Sequence, residues 1–497
     1  MIGKKEKGEP TFHYFHMANL VPDDHILKVI DKHIDFSFIR ERVRHLYSHT
    51  GRPSVDPEVM VRMLLVGYLF GITSERRLCE EVAMHIGYRW FVGLNMEDAV
   101  PDHSTFSKNR HGRFRESGLW EEVFDEVVRR CMEAGLVRGK HVTADGTLVE
   151  ANASLNSMEQ VVVEMKPGEY LRKVKEENPI EEVEDEGFRK KGTKMSNSTH
   201  RSTTDPDARI ARKSDFSDTK LAYQVSYLMD NSSRVILDAV VTGEAGRGVE
   251  MEQALAGLDR AKWKYRLEVE TLGGDKGYAA GGFIRQTYSM GVVPHVPVYD
   301  TRSEHDKGIY PIEAFTYDSE KDLFTCPQGK QLKYHGKNHR QVTYRASMKD
   351  CVCCQARSEC TRDRARSVSF HIYHEYIERA KEEKKTVGYK LSQRCRKKIE
   401  ELFGEAKELM GMRRMKFRGR ATVKEQILLT AAAQNIKRLI RYLERGVPKP
   451  AVAVCAARPD HENSPVKAFL KPILALLEDF FDKLLLNVNS AKVFCLK

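Results

Sequence analysis

Residues 141–154 read HVTADGTLVEANAS, and the place of Asp145 in that stretch decides the fold. Val142, Ala144, Leu148 and Val149 supply the apolar and β-branched character of a buried strand. Gly146, directly after the acid, suits a bulge or strand end better than a regular ladder. A carboxylate inside such a run needs a counter-charge, which the rest of the chain must supply.

The chain has 497 residues, 41% of them hydrophobic, enough for roughly two to four domains with real cores and too apolar for a disordered polymer. Lys and Arg number 82 against 71 Asp and Glu, a formal net charge of +11, which favours an anionic polymer as partner. The opening MIGKKEKGEPTFHYF lacks a signal-peptide apolar run, and no uncharged apolar stretch is long enough to span a bilayer; a cytoplasmic chain with no membrane partner is expected. Four of the ten cysteines fall between Cys351 and Cys360, which in a reducing compartment points to metal rather than disulfides.

Upstream, residues 18–139 carry helical periodicity. Asp56 is placed to cap a helix that starts at Pro57 and stops at Gly71, and PDHSTFSKNRHGRF sets Ser104 and Thr105 ahead of Lys108, Arg110 and Arg113. Short helices with basic residues near a helix start fit a helix-turn-helix DNA reader; a helical packing or dimerisation domain fits equally well. Downstream, residues 155–218 are charged and aperiodic and read as a flexible insertion. LAYQVSYLMD and SRVILDAVVTG read as a hairpin, VEMEQALAGLDRAKWKY as a helix, and RLEVETLGGDKGY as a strand ending at Asp275. That order of strand, insertion, hairpin, helix and strand resembles a ribonuclease H-like α/β core with a mixed sheet.

A third acid stands in RCRKKIEELFGEAKEL. Arg396, Glu400 and Lys407 share one helix face, because eleven residues make about three turns. Alone this is an ordinary surface ion-pair ladder. With Asp145 and Asp275 it becomes a set of three carboxylates able to converge on two Mg²⁺ ions (or Mn²⁺) about 4 Å apart, the arrangement for in-line phosphoryl transfer. The metal would then be the counter-charge of Asp145, with Arg396 and Lys407 beside phosphates.

ADGTLVEANAS, TLGGDKGYAAGGF, the R-x3-E-x6-K signature, GMRRMKFRGR and QNIKRL together resemble the DDE transposases of bacterial insertion sequences, in particular the insertion-sequence-five-like branch. GRPSVDPEVMVRMLLVGYLFGITSERRL and VPDHSTFSKNR are similar to that family's N-terminal domain, so the resemblance runs from about residue 15 to 445. It implies Asp145, Asp275 and Glu400 as catalytic metal ligands and Arg396 and Lys407 as their basic companions at DNA; Lys108 and Arg110 join the expected DNA contacts from the helix-turn-helix reading. It further implies cleavage at the terminal inverted repeats, strand transfer into target DNA, a homo-oligomer, and a place in the nucleoid. A nuclease that cuts without joining, and a transposase-derived DNA-binding protein that does neither, are the rival readings. Where relatives often carry Tyr three residues before the Arg, this chain has Gln393, and Glu401 adjoins Glu400 without its spacing.

Cys326, Cys351, Cys354 and Cys360, with Cys353 as a possible substitute, offer four thiolates for tetrahedral Zn²⁺ and resemble the zinc-ribbon-like insertion of related transposases; packing cysteines are the alternative. Cys79, Cys131, Cys395, Cys455 and Cys495 are isolated thiols, His295 a core histidine, and Asp205 and Asp207 turn residues in a stretch, Thr203 to Lys213, that is similar to a family segment and is expected to meet DNA. The expected organisation is a helical DNA-binding or dimerisation domain (1–139), a core in two parts (140–300 and 371–445), a cysteine-rich insertion (301–370), and a linker with a C-terminal amphipathic helix (446–497).

Overall fold

The strand read from HVTADGTLVE is β1, His141–Glu150, and the computed structural model builds the fold outward from it. The structure describes residues 15–50, 54–115, 117–161, 195–212, 218–244, 246–298, 308–318, 320–338 and 340–445. The expected C-terminal amphipathic helix and most of the charged insertion lie outside them.

β1 pairs antiparallel with β5 (Lys220–Asp230), which pairs antiparallel with β6 (Ile236–Thr242) and with the short β4 (Arg209–Ala211). On its other side β1 runs parallel to β7 (Thr271–Gly273), and β7 runs parallel to β8 (Val293–His295). The sheet is therefore mixed, as expected, with the hairpin on one side and parallel strands on the other. A two-stranded ribbon of β2 (Met158–Gln160) and β3 (His200–Ser202) folds the two ends of the insertion back on the core. This part of 155–218 is structured where flexibility was expected, because Ser202 and Asp205 are buried and bonded there.

Gly146 sits in regular register opposite Ser226, not in a bulge. Crowding, not backbone conformation, explains the glycine: a Cβ would lie 2.5 Å from Gln224 Nε2 and 3.0 Å from Glu250 Oε1.

Eight helices precede the sheet among the described residues: α1 Met17–Leu20, α2 Ile26–His33, α3 Phe38–Val43, α4 Pro57–Phe70, α5 Glu75–Met84, α6 Ile86–Val92, α7 His103–His111 and α8 Leu119–Glu133. Asp56 caps α4 by accepting from Glu58 N at 2.9 Å, and Gly71 ends it with φ +70°. α7 is capped by Asp102, two residues before Ser104, with Ser104 N donating at 2.8 Å.

After β6 come α9 (Arg247–Tyr265) and, after β7, α10 (Gly281–Ser289). A separate antiparallel sheet of β9 (Thr316–Asp318), β10 (Leu323–Thr325), β11 (Gln331–Lys337), β12 (Gln341–Ala346) and β13 (Ser367–His371) encloses its own small core of Phe315, Phe324, Leu332, Tyr344 and Val368. Two short helices, α11 (Met348–Val352) and α12 (Arg357–Cys360), join β12 to β13. The chain then returns through α13 (His374–Glu383), α14 (Val387–Leu409) and α15 (Arg420–Arg445).

α15 is the central post. Val423, Ile427, Leu429, Ala432, Ala433 and Ile436 are fully buried and belong to the same apolar core as the N-terminal helices and the main sheet. Its QNIKRL residues show why polar groups sit in that core. Asn435 receives Ile236 N on Oδ1 and donates Nδ2 to Ile236 O, both at 2.8 Å, mimicking a neighbouring strand. Gln434 donates to Leu402 O at 2.8 Å and so ties α15 to α14.

Candidate active site

Two carboxylates meet by strand register. Thr143 on β1 pairs with Gly273, the last residue of β7, and Asp275 follows two residues past that strand end, so the loop carrying it leaves the sheet beside the part of β1 that holds Asp145. Asp275 opens a 3-10 turn and accepts Gly277 N at 2.6 Å; Asp145 accepts Gly146 N at 2.9 Å. Burial pushes the Asp145 carboxyl up to about 6, and the Asp275 and Glu250 charges push the same way against the Gly146 N–H and Arg396.

α14 brings the basic companions to the pair. Lys407 Nζ donates to Thr147 Oγ1 at 2.6 Å and to Leu148 O at 3.1 Å, directly along β1 from Asp145. Arg396 is mostly buried and its charge acts on Asp145. Glu400 is different. Its side chain is 62% exposed and its carboxylate lies 3.5 Å from Arg396 Nη1, the surface ion pair that spacing alone had suggested. The carboxylate that adds to Asp275 in acting on Asp145 is Glu250 on α9. Glu401, the neighbour, pairs outward with Arg234 and Lys398.

Gln393 replaces the expected tyrosine with a structural role. Its Nε2 donates to His295 O at 2.6 Å and to Gly274 O at 3.3 Å, pinning α14 to the strand ends that carry Asp275. GMRRMKFRGR is laced to β1: Arg413 O receives Glu150 N, Glu150 O receives Met415 N, and Asn152 exchanges bonds with Lys416 O and Arg418 Nε. A cleft of about 800 Å³ opens beside this junction, with Gly146, Glu250, Lys407, Arg212, Lys220, Arg247 and Arg413 among its walls. Five cations outnumber the three carboxylates, Glu150, Asp218 and Glu250, that also line it, a balance that favours a polyanion.

Arg110 corrects the sequence reading. It was expected at DNA, yet it is 4% exposed, with Nε 2.7 Å from Glu425 and Nη1 2.7 Å from Glu75, so its guanidinium is committed inside the protein. Lys108 on the same helix is exposed. Asp205 and Asp207, read as turn residues, bind the start of α15 through Gly419 N and Arg420 N. His295 is buried, as expected, and burial lowers its imidazole to about 4.

At the cysteine-rich sheet, Lys330 N donates to Cys326 Sγ at 3.3 Å and Arg366 N to Cys351 Sγ at 3.4 Å. Burial raises the Cys360 thiol, opposed by Arg366 and assisted by Cys326, Cys351 and Cys354, so these four sulfurs share one neighbourhood; Cys353 is exposed. Among the described residues no set of three or more His, Cys, Asp or Glu side chains is already drawn up around a metal position, and no helix is long and apolar enough to cross a membrane.

Two family descriptions match the chain: a transposase domain of otherwise uncharacterised function over residues 15–112, and a transposase DDE domain over residues 325–440. The second contains Arg396, Glu400 and Lys407; Asp145 and Asp275 precede it. No curated protein matches significantly. Among solved structures, a piggyBac transposase synaptic complex with hairpin DNA aligns at 8% identity and a TM-score of 0.37, covering 85% of this chain and 76% of that one. A Mos1 transposase paired-end complex aligns at 12% identity and a TM-score of 0.16, covering 52% and 63%.

Proposed function

We infer that this chain, a DDE transposase by the two domains it carries, cleaves DNA at the ends of an insertion sequence and transfers the freed 3′ ends into target DNA by divalent-metal phosphoryl transfer. The observation that carries the reading is the parallel pairing of β1 and β7, which brings Asp145 on β1 beside the loop after β7 that carries Asp275, next to Lys407 and a basic cleft. The sheet order β6-β5-β1-β7-β8, with the hairpin antiparallel and the rest parallel, supports a ribonuclease H-like core.

The residues fit hard cations. Two carboxylates held together against desolvation and mutual repulsion have the chemistry of Mg²⁺ or Mn²⁺ ligands, and Mg²⁺ keeps most of its waters, so a fully closed protein cage is not required. Asp145 and Asp275 would hold the ions, with Glu400 as the further ligand implied by its spacing. When bound, two such ions activate the attacking oxygen and stabilise the leaving one. Lys407, braced on Thr147, and Arg396 would bind non-bridging phosphate oxygens. Lys108 and the cations of the cleft would hold flanking duplex, and the four clustered cysteines would take a structural Zn²⁺. A homo-oligomer pairing two ends, acting in the nucleoid, completes the reading.

The test incubates the full chain with DNA carrying the sequences that flank its gene, with Mg²⁺ or Mn²⁺, beside Asp145→Asn and Glu400→Gln. Metal-dependent cuts at discrete sites with joined products, lost in both variants, are expected. Cutting without joining identifies a nuclease, and binding without cutting identifies a DNA-binding protein.

A further inference from the structure

Residues 329–349 read GKQLKYHGKNHRQVTYRASMK, with six Lys and Arg and no Asp or Glu. Most of the stretch is the β11–β12 hairpin at the centre of the small five-stranded sheet. Register sorts its side chains. Leu332 and Tyr344 turn to the sheet's own core with Phe324 and Val368, so Lys333 and Arg345, paired directly across the two strands, turn to the other face, where both are exposed. Like charges placed directly opposite one another destabilise a sheet. Neither cation has a carboxylate partner among the described residues to relieve the repulsion.

The surroundings of the pair are polar and poor in acids. The row across the sheet runs Asp318, Leu323, Lys333, Arg345, Ser367, and its one acid stands on the edge strand, where Asp318 accepts Glu320 N and Lys321 N and lies 3.7 Å from the Lys321 ammonium. In the next row Thr343 and Ser369 join hydroxyls at 2.9 Å. A hollow of about 630 Å³ beside the pair is walled by Lys330, Lys333, His335 and Arg345, with Asp350 held 4.0 Å from Lys330. Cations and hydroxyl donors on an open, pleated face complement a run of phosphates.

The sheet is also fixed to the catalytic core at the end that carries the hairpin's turn. Gln341, just after that turn, pairs with His371 at the end of β13. The His371 ring occupies the space beside Gly281, where a Cβ would lie 2.5 Å from it, and Arg285 on the same helix reaches the Tyr373 hydroxyl at 3.2 Å. Gly281 opens α10, six residues after Asp275. The basic hairpin is thereby anchored to the helix that follows the Asp275 loop.

We propose that the exposed face of the β11–β12 hairpin, centred on the Lys333–Arg345 pair, binds the sugar-phosphate backbone of duplex DNA. The cysteine-rich insertion then has a function of its own, holding DNA that flanks the phosphate to be cut. Phosphates supply the counter-charge that the pair lacks within the protein, and contacts to backbone hold any sequence. The proposal rests on the DNA reading above and adds a contact surface apart from the cleft on the main sheet.

The experiment measures fluorescence anisotropy of a labelled duplex of arbitrary sequence titrated with the full chain, without added divalent metal, over about 0.05–0.2 M KCl. It compares wild type, the double variant Lys333→Gln with Arg345→Gln, and the charge-preserving double variant Lys333→Arg with Arg345→Lys, with each variant's circular dichroism melt confirming the fold. The glutamine variant is expected to bind at least about 10-fold more weakly and to lower the slope of log affinity against log salt by about 2, one for each lost phosphate contact. The charge-preserving variant should stay within about 3-fold of wild type. Wild-type affinity and slope in the glutamine variant overturn the proposal and leave DNA binding by the rest of the chain standing. Weaker binding with an unchanged slope makes the two residues structural and overturns it too. If the glutamine variant keeps DNA but loses polyglutamate, added as a second probe, the face belongs to an acidic protein and the proposal falls. Absence of DNA binding by the wild-type chain overturns the DNA reading itself.

Discussion

Replacing Arg110 with methionine tests whether α7 is held by a buried charge network rather than offered to DNA. Arg110 Nε lies 2.7 and 2.9 Å from the two Glu425 oxygens, Nη1 lies 2.7 Å from Glu75, and the guanidinium stands 4.1 Å over the Phe417 ring. Removing one partner of such a pair leaves the other charge buried, a loss of about 3–5 kcal/mol. The pH dependence has a definite sign. Burial raises Glu425 from 4.5 to about 7, with Arg110 opposing, so the folded chain holds a proton that the unfolded chain releases. The contribution of Glu425 to stability is full below 4.5 and is lost as the pH rises through about 7, a span worth about 3 kcal/mol. Without Arg110 the carboxyl rises further and the loss grows. Urea unfolding of wild type, Arg110→Met, Glu425→Leu and the double variant, at about pH 5.5 and 7.5, is the assay. Arg110→Met should lose about 3–5 kcal/mol at the higher pH and distinctly less at the lower, and Glu425→Leu should restore most of it. A wild-type midpoint for Arg110→Met at about pH 7.5, or a loss independent of pH, refutes the reasoning.

Three further outcomes follow from the geometry. Gly146→Ala forces a Cβ to 2.5 Å from Gln224 Nε2, so metal-dependent cleavage of flanking DNA should fall by about 10-fold or more, with about 1–3 kcal/mol lost in urea unfolding; full activity would contradict the crowding. Gln393→Ala removes two hydrogen bonds between α14 and the Gly274 and His295 carbonyls, and should lower stability by about 1–3 kcal/mol and slow cleavage, with DNA retention in a gel-shift assay unchanged. Treatment with a zinc chelator, or Cys351→Ser, should release zinc measured by atomic absorption and speed amide exchange in β9–β13 while β1 and β5 stay protected, because the small sheet has its own core; exchange that does not change would leave the cysteines as packing residues.

Much of this arrangement is legible in the residues. The alternation in LAYQVSYLMD and SRVILDAVVTG reports the β5–β6 hairpin because side chains alternate across a strand. Asp56, Pro57 and Gly71 report α4 because each meets a local requirement of a helix end. Asp145 and Asp275 are visible because an acid among strand residues breaks a pattern. Arg110 misleads for a related reason: a cation among Lys108 and Arg113 reads as one more surface charge, and its partner Glu425 stands 315 positions away.

Sequence by itself determined the elements and the acids they carry, since period, caps and turn residues act within a few positions of one another. Its basic balance made an anionic polymer the expected partner. Only the tertiary structure decided which charges meet. Whether Glu400 turns to Asp145 or to solvent depends on how α14 lies on the sheet, and whether Gln393 replaces a phosphate contact or a structural bond depends on where β7 and β8 end. Those relations are set by packing between segments distant in the chain, for which no local spacing carries a signal.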